Sequence, residues 1–185
     1  TLGPRSHEDF CDHPNGVDVY DVGEHAGSPF LVMEYLHGET LTDGLGRGGH
    51  TSRDIIEILL PAMRGVAAAH RMGVVHRDLK PENIFLARDV DGNYLGPKVL
   101  DFGISKMSTE GQVDPRLTKT GAVVGTPYYM SPEQIRGSSD VDRRADVYAF
   151  GIILYECLTG KVPFDADTYS ALILEIATGT LRRPC

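Results

Sequence analysis

Eight consecutive residues, His76-Arg77-Asp78-Leu79-Lys80-Pro81-Glu82-Asn83, carry the side-chain types that phosphoryl transfer requires. Asp78 can accept a proton from an attacking hydroxyl, and Lys80 can neutralise a phosphate oxygen. Asn83, five positions beyond Asp78, can offer an amide oxygen to a magnesium ion. A companion follows eighteen residues later, where Asp101-Phe102-Gly103 ends the short apolar run Lys98-Val99-Leu100. Its carboxylate is a second donor for Mg²⁺, a hard ion that takes oxygen ligands. The expectation is that a carboxylate, an ammonium, an amide and a second carboxylate meet on the terminal phosphate of a nucleotide.

Elements around these residues must hold them in place. Ile84-Phe85-Leu86-Ala87 and Pro97-Lys98-Val99-Leu100 flank the turn signal Asp91-Gly92-Asn93, so the pattern predicts a two-strand ribbon. Such a ribbon sets Asn83 at the start of one strand and Asp101 at the end of the other. Upstream, Thr51 stands three residues before Asp54 as a capping box for a helix. The expected apolar face is Ile55, Ile56, Leu59, Leu60, Met63, Val66 and Ala67, with Gly73 ending the helix. Pro61 conflicts with that assignment and predicts a kink. The helix is expected to support the 76–83 loop.

Residues 1–16 read as loop or a cut end. Val17 to Val22 alternates like a half-buried strand, and Phe30 to Tyr35 is a second, joined through the turn-forming 24–29 segment as a hairpin. Gly44-Leu45-Gly46-Arg47-Gly48-Gly49 matches a nucleotide-phosphate loop pattern. It does not directly follow a strand and has no acidic residue about twenty positions on, so it is assigned as a short, glycine-weakened helix or loop.

Beyond Asp101, residues 104–124 are polar and weakly patterned. Arg77, beside Asp78, can pair with a phosphate placed on this segment, and Thr118 and Thr120 offer hydroxyls for it. Ser131 caps a short helix with Pro132 at its first position. Ala145 to Tyr155 is apolar almost all round and predicts a buried helix ended by Gly160, with Asp146 a buried carboxylate. A last amphipathic helix is expected between Asp165 and Thr178.

Composition narrows the function further. A chain of 185 residues with 41% hydrophobic and 24% charged residues suits one globular domain. A net charge of −8 argues against nucleic acid as a partner. Cys11, Cys157 and Cys185 lack the spacing of a zinc site or disulfide framework, and read as free thiols of a reducing, cytoplasmic compartment. No apolar run reaches the roughly 20 residues of a membrane span.

The loops at 76–83 and 101–103, followed in order by Gly125-Thr126-Pro127-Tyr128-Tyr129-Met130-Ser131-Pro132-Glu133, resemble the catalytic, metal-binding and substrate-side motifs of the eukaryotic-type serine/threonine protein kinase family. The Tyr-Met-Ser-Pro-Glu-Gln stretch is similar to bacterial members. The resemblance implies an α+β, protein-kinase-like fold truncated at both ends. Residues 1–36 are then the remnant of the small lobe with its hinge, and 37–185 an incomplete, mostly α large lobe.

It also implies site residues. Met33 guards the adenine pocket, the backbone of Glu34-Tyr35-Leu36 bonds adenine, Glu39 reaches the ribose, and Phe85 floors the pocket. Thr126 lies in the substrate pocket, and Asp146 anchors the catalytic loop. The implied cofactors are ATP and Mg²⁺, and the implied partner is a protein bearing a Ser or Thr hydroxyl, with a dimer for autophosphorylation. No lysine precedes Lys80 and no glycine-rich loop precedes the hinge, so the 185 residues alone are expected to be nearly inactive. A non-catalytic kinase-like binding module and a small-molecule phosphotransferase are the competing classes.

Overall fold

The computed structural model describes residues 13–26, 28–102, 127–138 and 140–179. They belong to two compact units, one formed by the stretches up to Val74 and from Pro81 to Phe102, the other by Val75–Lys80 and the stretch after Gly103.

In the first unit, β1 (Val19–His25) and β2 (Ser28–Met33) form an antiparallel hairpin with Val22 opposite Leu31 and Gly23 opposite Phe30. Both strands lie a little away from the expected bounds. A three-stranded sheet follows, in the order β3 (His37–Thr40), β4 (Ile84–Arg88), β5 (Tyr94–Val99). The β4–β5 ribbon is the expected one, and Ile84 sits opposite Val99. Its turn is built by Asp89, whose carboxylate accepts from the backbone N–H groups of Asp91 and Asn93 at 3.0 and 2.8 Å. β3 had no sequence signal: four residues containing a glycine are too short for alternation to register.

The glycine-rich 44–49 stretch is partly helix α1 (Leu41–Gly46), capped by Thr40 with Asp43 closing the box. Helix α2 (Ser52–Arg71) starts at the predicted Thr51–Asp54 capping box. It ends in a Schellman arrangement, Val74 N–H to the Ala69 carbonyl and Gly73 N–H to the His70 carbonyl, with Gly73 at a positive φ of 77°. The helix runs on through Pro61, because burial of Ile58, Leu59, Ala62, Gly65 and Val66 on both sides outweighs the lost hydrogen bond. The buried stripe is Ile55, Ile58, Leu59, Ala62, Gly65, Val66 and Ala69. Ile56, Leu60 and Ala67, expected inside, are exposed, since the stripe runs one residue round from the expected one.

Residues 13–16, expected to be loop, and Val17, expected to open a strand, are tied to β5. Asn15 donates from its side-chain amide to the Pro97 carbonyl at 2.8 Å and accepts at its own carbonyl from Val99 N–H at 2.9 Å. A Cβ at Gly65 of α2 would stand 2.8 Å from that Asn15 oxygen, so glycine is what lets the helix approach.

In the second unit, α3 (Pro132–Ile135) begins at the predicted Ser131 cap, and α4 (Arg144–Thr159) ends at Gly160 in the left-handed region. α4 buries Ala145, Asp146, Ala149, Phe150, Ile152 and Ile153, while Val147 is exposed, so the helix is buried on one side only. α5 (Tyr169–Thr178) starts at the Thr168 cap. Ile152, Phe164, Leu172 and Ile176 form its core with α4, and Tyr128 and Tyr129 pack against that core.

Candidate active site

The 76–80 loop belongs to the second unit and is held mainly by side chains. Asp146 is 1% exposed on α4, and its two carboxylate oxygens accept from His76 N–H at 2.9 Å and Arg77 N–H at 2.8 Å. The anchoring role implied for Asp146 is therefore visible as two charge-assisted bonds. Arg77 has a φ of 66°, a region that non-glycine residues rarely adopt. Its carbonyl accepts from the Gln134 side-chain amide at 2.7 Å, and its guanidinium donates to the Val141 carbonyl at 3.3 Å. Asp78 N–H donates to Nδ1 of the buried His76 ring at 3.3 Å. Nδ1 is thus the acceptor, which puts the neutral ring's proton on Nε2.

Leu79 is buried, so its neighbours on either side turn outward together. Lys80 Nζ lies 3.3 Å from the Asp78 carboxylate, and both side chains keep about two-fifths of their surface in solvent, 37% and 43%. A carboxylate and an ammonium side by side, accessible yet set on a clamped backbone, can take a proton and hold an anion. In the sequence Gln134 stands out only as the end of the Tyr-Met-Ser-Pro-Glu-Gln stretch, and in the structure it closes the Ser131 capping box. Its second role depends on a bond across 57 positions, which no local pattern reveals.

The proposed metal donors belong to the first unit. The β4–β5 ladder continues one step past its strands, through Leu100 N–H to the Asn83 carbonyl at 2.9 Å, so the ends carrying Asn83 and Asp101 are neighbours. Asn83 is 6% exposed, and Asp101 is exposed with a φ of 60°. An amide and a carboxylate on adjoining strand ends are hard donors that suit Mg²⁺. Among the described residues no group of three or more His, Cys, Asp or Glu is arranged to hold a metal.

At the expected hinge, Met33 closes β2 opposite Val19, and Glu34 follows it. Glu34 N–H is taken by the Asp18 carbonyl at 2.9 Å. Its side chain pairs with Lys98 and accepts from Asp18 N–H. With its N–H taken, Glu34 has no free backbone donor, and Leu36 is half-buried.

Glu39 lies opposite Leu86, whereas Phe85 lies opposite Thr40. Strand alternation therefore sets Glu39 and Phe85 on opposite faces of the sheet. Phe85 shares its face with Gly38, whose Cβ would stand 3.0 Å from the ring. Glu39 instead pairs with Arg47 and lies 3.8 Å from Arg88, lining an open depression of about 480 Å³ with His37 and Asp89. The hydrogen bond from Arg47 holds its carboxyl below the usual range; burial opposes this, and the charges of Arg47 and Arg88 add to it.

Thr118, Thr120 and Thr126 lie outside the described residues. No described helix is long and apolar enough to cross a membrane.

The protein kinase domain model matches residues 6–182. The chain is 43% identical over 159 residues to the serine/threonine-protein kinase pkn3 of Myxococcus xanthus, covering 84% of this chain and 28% of that protein. It is also 43% identical over 153 residues to the serine/threonine-protein kinase PknL of Mycobacterium tuberculosis, covering 82% of this chain and 36% of that one. A probable serine/threonine-protein kinase of Clostridium acetobutylicum is 43% identical over 162 residues, 87% of this chain and 23% of that one. The chain thus spans about a quarter to a third of the relatives it matches. With its family match running almost end to end, and with its Asp-x-Lys loop clamped from α4, the chain belongs to the protein kinase domain family.

Proposed function

We propose that this chain is the catalytic part of a serine/threonine protein kinase that moves the γ-phosphoryl group of ATP to a protein hydroxyl. The observation that carries the proposal is the Asp78–Lys80 pair at 3.3 Å on a loop whose backbone is bonded to buried Asp146. Asp78 accepts the proton of the attacking Ser or Thr hydroxyl as the new O–P bond forms and the bond to the ADP leaving group breaks. Lys80 balances charge on the transferred group. Asn83 and Asp101 are the residues suited to Mg²⁺, which supplies neutralisation of the phosphate oxygens when bound.

For the base, the Glu34 carbonyl and Leu36 N–H are the hinge groups, with Met33 behind and Phe85 below. The sugar contact is assigned to Glu39, on the strand that pairs with that of Phe85. Thr126 serves the substrate hydroxyl. Arg77 receives a phosphate on Thr118 or Thr120, delivered by a second copy in a dimer, and the protein works in the cytoplasm.

The test is transfer of labelled phosphate from ATP by the full-length protein containing this chain, to itself and to a serine-containing peptide. Asp78→Asn should lower the rate at least about 10²-fold. Transfer that survives Asp78→Asn undiminished overturns the proposal.

A further inference from the structure

We propose that Gln134 is a positioning residue for Asp78, coupling the helix after the substrate-side segment to the orientation of the catalytic base. This rests on the kinase reading above for its consequence, though not for its geometry. The peptide group between Arg77 and Asp78 is planar, so fixing its carbonyl and its N–H fixes the plane from which the Asp78 side chain departs. Both ends are held. Gln134 donates to the Arg77 carbonyl at 2.7 Å, and Asp78 N–H donates to the His76 ring at 3.3 Å.

The other face of Gln134 is committed as well. Its Oε1 accepts from Ser131 N–H at 3.0 Å and Ser131 Oγ at 3.2 Å. Those two donors require the oxygen on the Ser131 side, and so set the amide's NH₂ group toward Arg77. Ser131 is fully buried, which leaves this end no play.

Arg77 needs such a hold, because its left-handed backbone persists only where surrounding bonds determine it. Asp146 satisfies the N–H groups ahead of the bend, and Gln134 satisfies the carbonyl after it. One amide thus closes the cap of α3 and latches the bend before Asp78. A displacement of residues 131–135 frees the peptide plane of the base. This gives the segment that follows Thr126 a direct mechanical line to catalysis.

Gln134→Glu separates the two jobs of this side chain. A glutamate keeps the Ser-x-x-Glu capping box. When ionised it has no donor for the Arg77 carbonyl, and when protonated it has one again. In the full-length protein, Gln134→Ala and Gln134→Glu should each lower kcat about tenfold at about pH 8, with KM for ATP changed less than about twofold. Relative to the wild type at the same pH, Gln134→Glu should recover severalfold as the pH falls to about 5.5, and Gln134→Ala should not. Hydrogen exchange of the 75–83 peptide, corrected for intrinsic rates, should speed about tenfold in both variants and slow again at low pH only in Gln134→Glu.

Wild-type kcat and exchange in both variants, or a Gln134→Glu deficit that does not change with pH, overturns the latch. A wild-type protein that transfers no phosphate overturns the kinase reading instead, and the exchange arm still decides the latch.

Discussion

The candidate residues of the two units are held in contrasting ways. Asn83 and Asp101 stand at the end of a ribbon whose β4–β5 ladder repeats over several residue pairs, and β3 extends it on one side. Asp78 and Lys80 stand on a loop with no ladder, where Asp146 and Gln134 supply three side-chain bonds to a backbone bent at Arg77. Distributed support tolerates the loss of one contact. Concentrated support makes one buried carboxylate indispensable and gives the loop a part that can be released.

The largest expected effect breaks the comparison at its weak point. Asp146→Ala leaves two backbone N–H groups facing the space of a removed, 1% exposed carboxylate. The cost is about 3 kcal/mol or more, read as a lower urea midpoint for the full-length protein. Asp146→Asn retains one acceptor and should fall between. A midpoint unchanged by Asp146→Ala would place the loop's support elsewhere.

Next in size is Gly65→Ala, on the ribbon side. Helix propensity alone favours alanine by about 1 kcal/mol. The added Cβ would lie 2.8 Å from the Asn15 carbonyl oxygen, a backbone atom that is itself bonded to β5. Overpacking costs about 1–3 kcal/mol and decides the sign, so the variant should melt at a lower temperature. A higher melting temperature would mean that residues 13–17 yield easily and contribute little to the ribbon.

Much of this was legible in the residues themselves. The capping box at Thr51, the cap at Ser131, the β4–β5 turn and the end of α4 at Gly160 are local signals, and each stands where its chemistry put it. The eight-residue motif drew attention to Asp78 and Lys80 for the same reason: it concentrates unusual residue types in a short stretch. Long-range bonds escaped. Asn15 reaches Pro97 across 82 positions and Gln134 reaches Arg77 across 57, and neither leaves a periodic trace. The face of Glu39 was also hidden, because it follows from the β3–β4 register. A one-residue change in register would exchange the faces.

Two smaller effects sharpen the contrast. Asn15→Ala removes one donor to the Pro97 carbonyl while the bonds made by the Asn15 and Val17 backbones to Val99 remain. It should cost about 1 kcal/mol, well below Asp146→Ala, because a ladder shares the loss. A cost equal to that of Asp146→Ala would erase the distinction between the two regions.

The smallest effect concerns Glu39 and Arg47. Arg47 lies at the surface, where solvent and salt screen the pair, so Arg47→Ala should barely move the urea midpoint at neutral pH. What difference exists has a fixed sign. The hydrogen bond from Arg47 holds the Glu39 carboxyl below its ordinary value, so the folded state binds the proton less readily than the unfolded chain. The stabilisation is present above that value and disappears as the pH falls through the folded-state value. Stability curves of wild type and Arg47→Ala should therefore lie slightly apart at neutral pH and merge in acid. A gap that widens in acid would show that Arg47 contributes by packing its stem against β3, making that edge of the sheet depend on one residue much as the loop depends on Asp146.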